Sequence, residues 1–204
     1  MKLAFFDFDR TLRDGDTIGS IFDNIESIQT ELQQLYHPDF RTLLIQKLKL
    51  LKNFNIHEIM NLQIQTLHYF PGAKQLIQTL KANGWTVIVL SGGFSHAIQT
   101  AQKELGFDTF FCNDLVVEQE KITGELIGFC LTDTSKGEIV QKIRELTGVS
   151  KQNTIAIGDG KNDVSMFQEV GFSIAFCSQC EALRAISSIC IDEPNLITLL
   201  NYIK

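Results

Sequence analysis

An apolar run, Leu3-Ala4-Phe5-Phe6, passes without interruption into Asp7-Phe8-Asp9-Arg10-Thr11. A short, continuous apolar run fits a strand covered on both faces, and only a sheet layered on each side supplies that cover. Such a strand gains nothing in packing by ending in two carboxylates, because a half-buried acid is costly unless positive charge stands beside it. A hard divalent cation together with a phosphate group is one arrangement that meets the need. Aspartate can also act as a nucleophile and take a phosphoryl group onto its carboxylate.

The remainder of the chain has the alternation that such a sheet requires. Runs of strand length lie at 85–90, 154–157 and 172–176, with helical spacing at 73–82, 95–105, 136–146 and 164–169. Strands separated by helical crossovers predict an α/β fold, a Rossmann-like parallel sheet with helices on both faces. Two β-like runs around Glu120-Lys121, within 114–127, predict a local hairpin. From about Thr17 to Leu67 the spacing is helical throughout, with breaks at Pro38 and at Asn53-Phe54-Asn55. That stretch reads as about three helices closed by Pro71-Gly72. The expected organisation is a catalytic core of residues 1–13 and 71–204, with a small helical cap of residues 14–70 inserted after the first strand.

Bulk properties narrow the function. The 204 residues carry a formal net charge of −6 with no basic block, which disfavours a nucleic-acid partner. A small anionic substrate is compatible with that charge, because a local cation reverses the field inside one cleft. No apolar run has the length to cross a bilayer, and no signal-peptide pattern opens the chain, so the expectation is a cytoplasmic protein without a membrane partner. Five cysteines, an odd number, suit a reducing compartment. Cys177 and Cys180 have CxxC spacing but no second pair accompanies them, and they read as small buried thiols. His37, His57, His68 and His96 are scattered, and none is assigned to catalysis or metal.

Three further polar clusters stand just after predicted strands or open a helix: Ser91-Gly92-Gly93, Lys136 following Asp133-Thr134-Ser135, and Gly158-Asp159-Gly160-Lys161-Asn162-Asp163. Open parallel sheets bind ligands beyond the carboxyl ends of their strands. Each cluster alone also fits an ordinary loop. Asn162 and Asp163 would serve as helix N-caps, and Ser91-Gly92-Gly93 as a turn. It is their convergence on one edge that singles them out. Asp7 and Asp159 are oxygen ligands suited to Mg²⁺. Ser91 and the backbone near Gly92 can donate to phosphate oxygens. Lys136 supplies positive charge and keeps Asp7 ionised, while Asp9 can protonate a leaving alkoxide and then deprotonate water.

These four clusters, in this order, resemble the haloacid-dehalogenase-like phosphatase superfamily, and within it the phosphoserine phosphatases. The resemblance implies Asp7 as nucleophile and Asp9 as general acid and base. It implies Mg²⁺ held by Asp7, the Asp9 carbonyl and Asp159, with Asp163 behind them, and a phosphate site made by Thr11, Ser91, Gly92 and Lys136, with Asn162 near the substrate. Arg10 stands where the phosphoserine phosphatases carry a small Ser. Asp16 is a shorter version of their ammonium-binding acid, Phe40 matches a cap aromatic, and Lys47 takes the place of a carboxylate-binding Arg. The expected partner is a small phosphorylated metabolite, phosphoserine or a similar compound, and the expected assembly a monomer or homodimer. A phosphotransferase or mutase using the same aspartyl-phosphate, and a catalytically silent ligand-binding module, are the alternatives. The intact set of Asp7, Asp9, Lys136 and Asp159 argues against silence.

Overall fold

The computed structural model describes residues 1–37 and 40–203. Pro38, the expected break between two helices, lies outside the described residues, as does the side chain of Phe40. Strand β1 (Lys2–Asp7) is central: it pairs in parallel with β2 (Trp85–Phe94) on one side and with β5 (Thr154–Gly158) on the other. Outside β2 come β3 (Thr109–Glu118) and β4 (Lys121–Gly128); outside β5 come β6 (Phe172–Phe176) and β7 (Ile189–Ile191). The order is β4-β3-β2-β1-β5-β6-β7, parallel except for the antiparallel β3–β4 pair. The chain builds outward from β1 in one direction, then returns to continue on its other side. The strand order therefore reverses at the carboxyl end of β1, where Asp7 lies.

Side-chain alternation along β1 divides the core in two. Ala4 and Phe6 face helices α5 (Ala73–Ala82) and α6 (Ser95–Leu105). Leu3 and Phe5 face α7 (Ser135–Thr147), α8 (Val164–Gln168) and α9 (Glu181–Ile186). The covered, mostly parallel sheet agrees with the sequence expectation. Three details differ. Strand β2 does not stop at Leu90 but stays extended through Ser91-Gly92-Gly93 to Phe94, with a shift in its pairing to β3 between Leu90 and Phe94. Strand β3 starts at Thr109 and serves both as a parallel neighbour of β2 and as one arm of the hairpin, whose turn is Gln119-Glu120, with φ of 47° and 62°. Strand β7 and helix α9 carry too short an apolar signal to be read in advance.

Between β1 and α5 the described residues form four α-helices rather than about three: α1 (Thr17–Asp23), α2 (Gln29–Gln34), α3 (Phe40–Leu50) and α4 (Ile56–Gln65). Their apolar faces, among them Ile21, Phe22, Leu44, Leu48 and Ile59, form a separate cluster sealed by Phe94 from β2 and Ile122 from β4. The two segments joining these helices to the sheet are bonded to each other: the Asp14 amide donates to His68 and the Phe70 amide to Leu12. The hairpin makes a third attachment. Asn53 donates to Ile122, Ile122 to Phe54, and Ile56 to Glu120. At Gly124, φ is 88° and an added Cβ would lie 3.3 Å from the Lys49 Cα, so glycine alone permits that approach without strain.

Candidate active site

Asp7 ends β1 almost fully buried, and Lys136, in the first turn of α7, is buried beside it. The Lys136 ammonium lies 2.5 Å from the Asp7 Oδ1 and 2.6 Å from the Asp163 Oδ1. Asp163 is fully buried, and its Oδ2 accepts from the amides of Asp159, at 3.0 Å, and Gly160, at 2.9 Å. Oxygen atoms of Asp7, Asp159 and Asp163 all fall within 4.8 Å of one another. Both Asp163 oxygens accept hydrogen bonds and its side chain is fully buried, whereas Asp159 is only partly buried.

Three carboxylates share one ammonium, and the titration of the cluster reflects it. Burial pushes the Asp7 carboxyl up to about 6, against the pull of Lys136 and with the charge of Asp159 adding to it. Burial and the Asp7 charge push Asp163 up to about 6 as well. Asp159 is raised by burial and by Asp163, with Arg10 opposing. Burial works against the Lys136 ammonium, but Asp163 and Asp7 outweigh it and hold the group charged well above its usual range. Fully ionised, Asp7, Asp159, Asp163 and Lys136 sum to −3 + 1 = −2, and the Arg10 guanidinium 3.1 Å from Asp159 brings the net to −1. That excess, on hard oxygen atoms, is what a divalent cation neutralises.

Asp9 is held separately. Its Oδ1 accepts from the Thr17 amide at 2.8 Å and from the Thr17 hydroxyl, and the Arg13 guanidinium lies 3.6 Å away. Burial, with the charge of Asp16 second, pushes the Asp9 carboxyl up to about 7. A group poised there can both give and take a proton near neutrality. Arg13 is itself almost fully buried and donates to Ser20 Oγ and to Thr66, which ties α1 and the end of α4 to the Asp9 loop.

Ser91 is fully buried within β2, where its Oγ accepts from the Gly93 amide and leaves the hydroxyl proton free to donate. Gly92 borders a cavity of about 1040 Å³ beside the cluster, as do Lys136 and Asn162. Asp7, Lys136, Asp159 and Asp163 are thus joined by contacts at the mouth of β1, with Asp9 two residues beyond Asp7. Thr11 turns instead toward Asp159, its hydroxyl 3.4 Å from Oδ1. Asp16 caps α1, accepting from Ile18 and Gly19, and pairs with Arg10 at 3.5 Å.

Lys47 does not border this cavity; its ammonium stands 5.7 Å over the ring of Phe22. The cationic side chain that α3 brings to the cavity is Arg41, six residues earlier and about 240° away around the helix. Sequence reasoning gave no role to Arg41, nor to Asn113. The Asn113 amide nitrogen donates to the carbonyls of Gly92 and Cys130 at 2.9 Å each, and so fixes the Gly92 backbone. Nothing local in the sequence marks Asn113, because its partners are at least 17 residues away. Helical spacing does not single out Arg41, because Arg41 and Lys47 flank the core-facing stripe Leu44, Leu48, Leu51 on opposite sides.

The sequence profile of the haloacid dehalogenase-like hydrolases matches residues 4–168. The chain is 36% identical to the phosphoserine phosphatase of Methanocaldococcus jannaschii over 209 aligned positions, covering all of this chain and 98% of that one. It is equally similar to the phosphoserine phosphatase of Wolinella succinogenes, covering all of both chains. Among solved structures it superposes on a phosphoserine phosphatase in apo form with a TM-score of 0.87 at 36% identity, covering 100% and 99% of the two chains. A phospho-aspartyl intermediate analogue of phosphoserine phosphatase superposes with a TM-score of 0.86 at the same identity and coverage.

Proposed function

The chain belongs to the haloacid dehalogenase-like hydrolase family and is a phosphatase, and we propose that it hydrolyses the phosphate monoester of a small metabolite, phosphoserine or a similar compound, through an aspartyl-phosphate on Asp7. The observation that carries the proposal is the buried Asp7 carboxylate held by Lys136 at the carboxyl end of the central strand, inside a cluster where carboxylates outnumber cations.

In this reading the Asp7 oxygen not bonded to Lys136 attacks phosphorus, and Lys136 keeps that carboxylate ionised while drawing charge from the phosphoryl oxygens. The Asp9 carboxyl, protonated in good part at neutral pH, gives its proton to the leaving oxygen. Water then attacks the phospho-aspartate, and Asp9 takes the proton back. Ser91 donates its hydroxyl to the phosphoryl group from within β2, and Gly92 lets the phosphate approach the backbone closely. The cofactor is assigned as Mg²⁺, held by Asp7, Asp159 and the Asp9 carbonyl with Asp163 braced behind. When bound it neutralises phosphate charge and orients the ester. Residues 14–70 act as a cap over the crevice that excludes water from the transfer to Asp7.

The test is release of inorganic phosphate from phosphoserine and related small esters by the Mg²⁺-loaded protein, with acid quenching to trap the phosphoenzyme. Failure to release phosphate from any small ester, a generic aryl phosphate included, overturns the proposal.

A further inference from the structure

The charged side chains that border the cavity above the acidic cluster are mostly cationic although the chain as a whole is acidic. Four cationic side chains border it, Arg10, Arg41, Lys136 and Lys161, against the single carboxylate of Asp133. Asp133 is already paired with Lys161 at 3.0 Å. Asp16, which meets the cavity lining through Arg10, is doubly engaged: one oxygen caps α1 and the other faces the Arg10 guanidinium. Arg10 is held in place to do this. Its backbone adopts φ of 58°, its amide donates to Gly15, and its Nε donates to Asp159 at 3.1 Å. A non-glycine residue adopts that conformation only when its surroundings fix it. Arg41, by contrast, has no ion-pair partner among the described residues, and stands beside the apolar Leu44, Ile45 and Leu126 of the same wall.

Among the described residues, an ammonium group entering this cavity would find no carboxylate beyond the cluster that lacks a cationic partner, whereas a carboxylate would find the Arg41 guanidinium without one. Accepting the phosphatase reading above, on which this rests, we infer that the preferred substrate is the phosphate ester of a hydroxycarboxylic acid that carries no amino group. Its carboxylate binds Arg41. Arg10 sets the preference by neutralising Asp16 and so denying an ammonium its partner.

Three isosteric esters separate the charges: phosphoserine with carboxylate and ammonium, 3-phosphooxypropanoate with carboxylate alone, and phosphoethanolamine with ammonium alone. With the Mg²⁺-loaded native enzyme, kcat/KM for 3-phosphooxypropanoate should exceed that for phosphoserine, and both should exceed phosphoethanolamine by about tenfold, the value of one charge-assisted contact. Arg41→Gln should shrink the advantage of 3-phosphooxypropanoate over phosphoethanolamine by about fivefold or more. Arg10→Ser, which frees Asp16, should move the ratio of phosphoserine to 3-phosphooxypropanoate several-fold toward phosphoserine. A native enzyme that prefers phosphoserine by about tenfold while turning over an aryl phosphate overturns this inference alone. An unchanged ratio in Arg41→Gln or in Arg10→Ser overturns the role given to that residue. If none of the esters and no aryl phosphate is hydrolysed, the phosphatase reading falls and takes the inference with it.

Discussion

Replacing Lys136 with methionine keeps the volume of the side chain and removes the one ammonium that Asp7 and Asp163 share. Both carboxyls are buried and Asp159 is within 4.8 Å of them, so the variant confines three acids without their cation. Breaking a buried ion pair from one side costs about 3–5 kcal/mol. For a chain of this length that corresponds to a drop in Tm of about 6–20 °C. The cost depends on pH in a defined sense. A carboxyl whose folded pKa lies above its unfolded value of 3.8 carries a penalty that is absent well below 3.8, grows as pH rises from there to the folded value, and is level above it; that value is about 6 in the native protein and higher in the variant, so the variant goes on losing stability above pH 6. Lys136 itself is charged in the folded and unfolded chains from pH 5 to 8 and adds no slope there. Thermal unfolding followed by circular dichroism in chelator should show the variant far below the native protein at pH 8 and closer to it at pH 5.5. Excess Mg²⁺ should recover part of the loss at pH 8. A variant as stable as the native protein at pH 8, or one destabilised equally at both pH values, would refute the account of the cluster.

Asp7→Asn should lower turnover at least about a thousandfold and abolish the trapped phosphoenzyme. Its Tm in chelator should not fall, because a buried ionisable acid becomes neutral. Mg²⁺ affinity should weaken as pH falls through about 6, since the cation competes with the protons on Asp7 and Asp163. Calorimetry in buffers of different ionisation enthalpy should detect proton release on binding, and an affinity flat from pH 5 to 8 would contradict the assignment. Gly158→Ala should cost about 1–3 kcal/mol and weaken metal binding, because the added Cβ would lie 2.5 Å from the Asp163 Oδ2 and 2.6 Å from its Cγ. Unchanged metal affinity in that variant would separate Asp163 from the site.

The acidic cluster was legible because each of its members sits at the end of a strand or the start of a helix whose apolar pattern is unambiguous. Asp7 follows four apolar residues and Asp159 follows Thr154-Ile155-Ala156-Ile157. What was not legible depends on direction rather than type. The extended course of β2 past Leu90 rests on pairing with β3, and Ser91-Gly92-Gly93 has no apolar signal to announce it. Lys47 and Arg41 lie on one helix, and sequence alone shows a cation at each. They flank the Leu44 and Leu48 stripe on opposite sides, and only the seating of the helix against its neighbours decides which one borders the cavity. The restraints on Asp9 come from Thr17 and Arg13, whose effect requires the Asp9 loop to fold back onto the start of α1. The helix count came out low because α1 and α2 are only 7 and 6 residues long, too short for a periodic pattern to separate them.

The third attachment, between the β3–β4 hairpin and the loop joining α3 to α4, bears on how such chains can be recombined. The helices from Thr17 to Gln65 are contiguous in sequence, yet their apolar cluster is incomplete without Ile122, and their loop shares backbone hydrogen bonds with a hairpin encoded more than 50 residues later. A chimera that exchanges only the contiguous helical segment between relatives would leave the amides of Asn53, Ile56 and Ile122 without matched partners. The packed unit is discontinuous: helices and hairpin have to change together, and breakpoints for grafting belong after Gly128 as well as around residues 14 and 70.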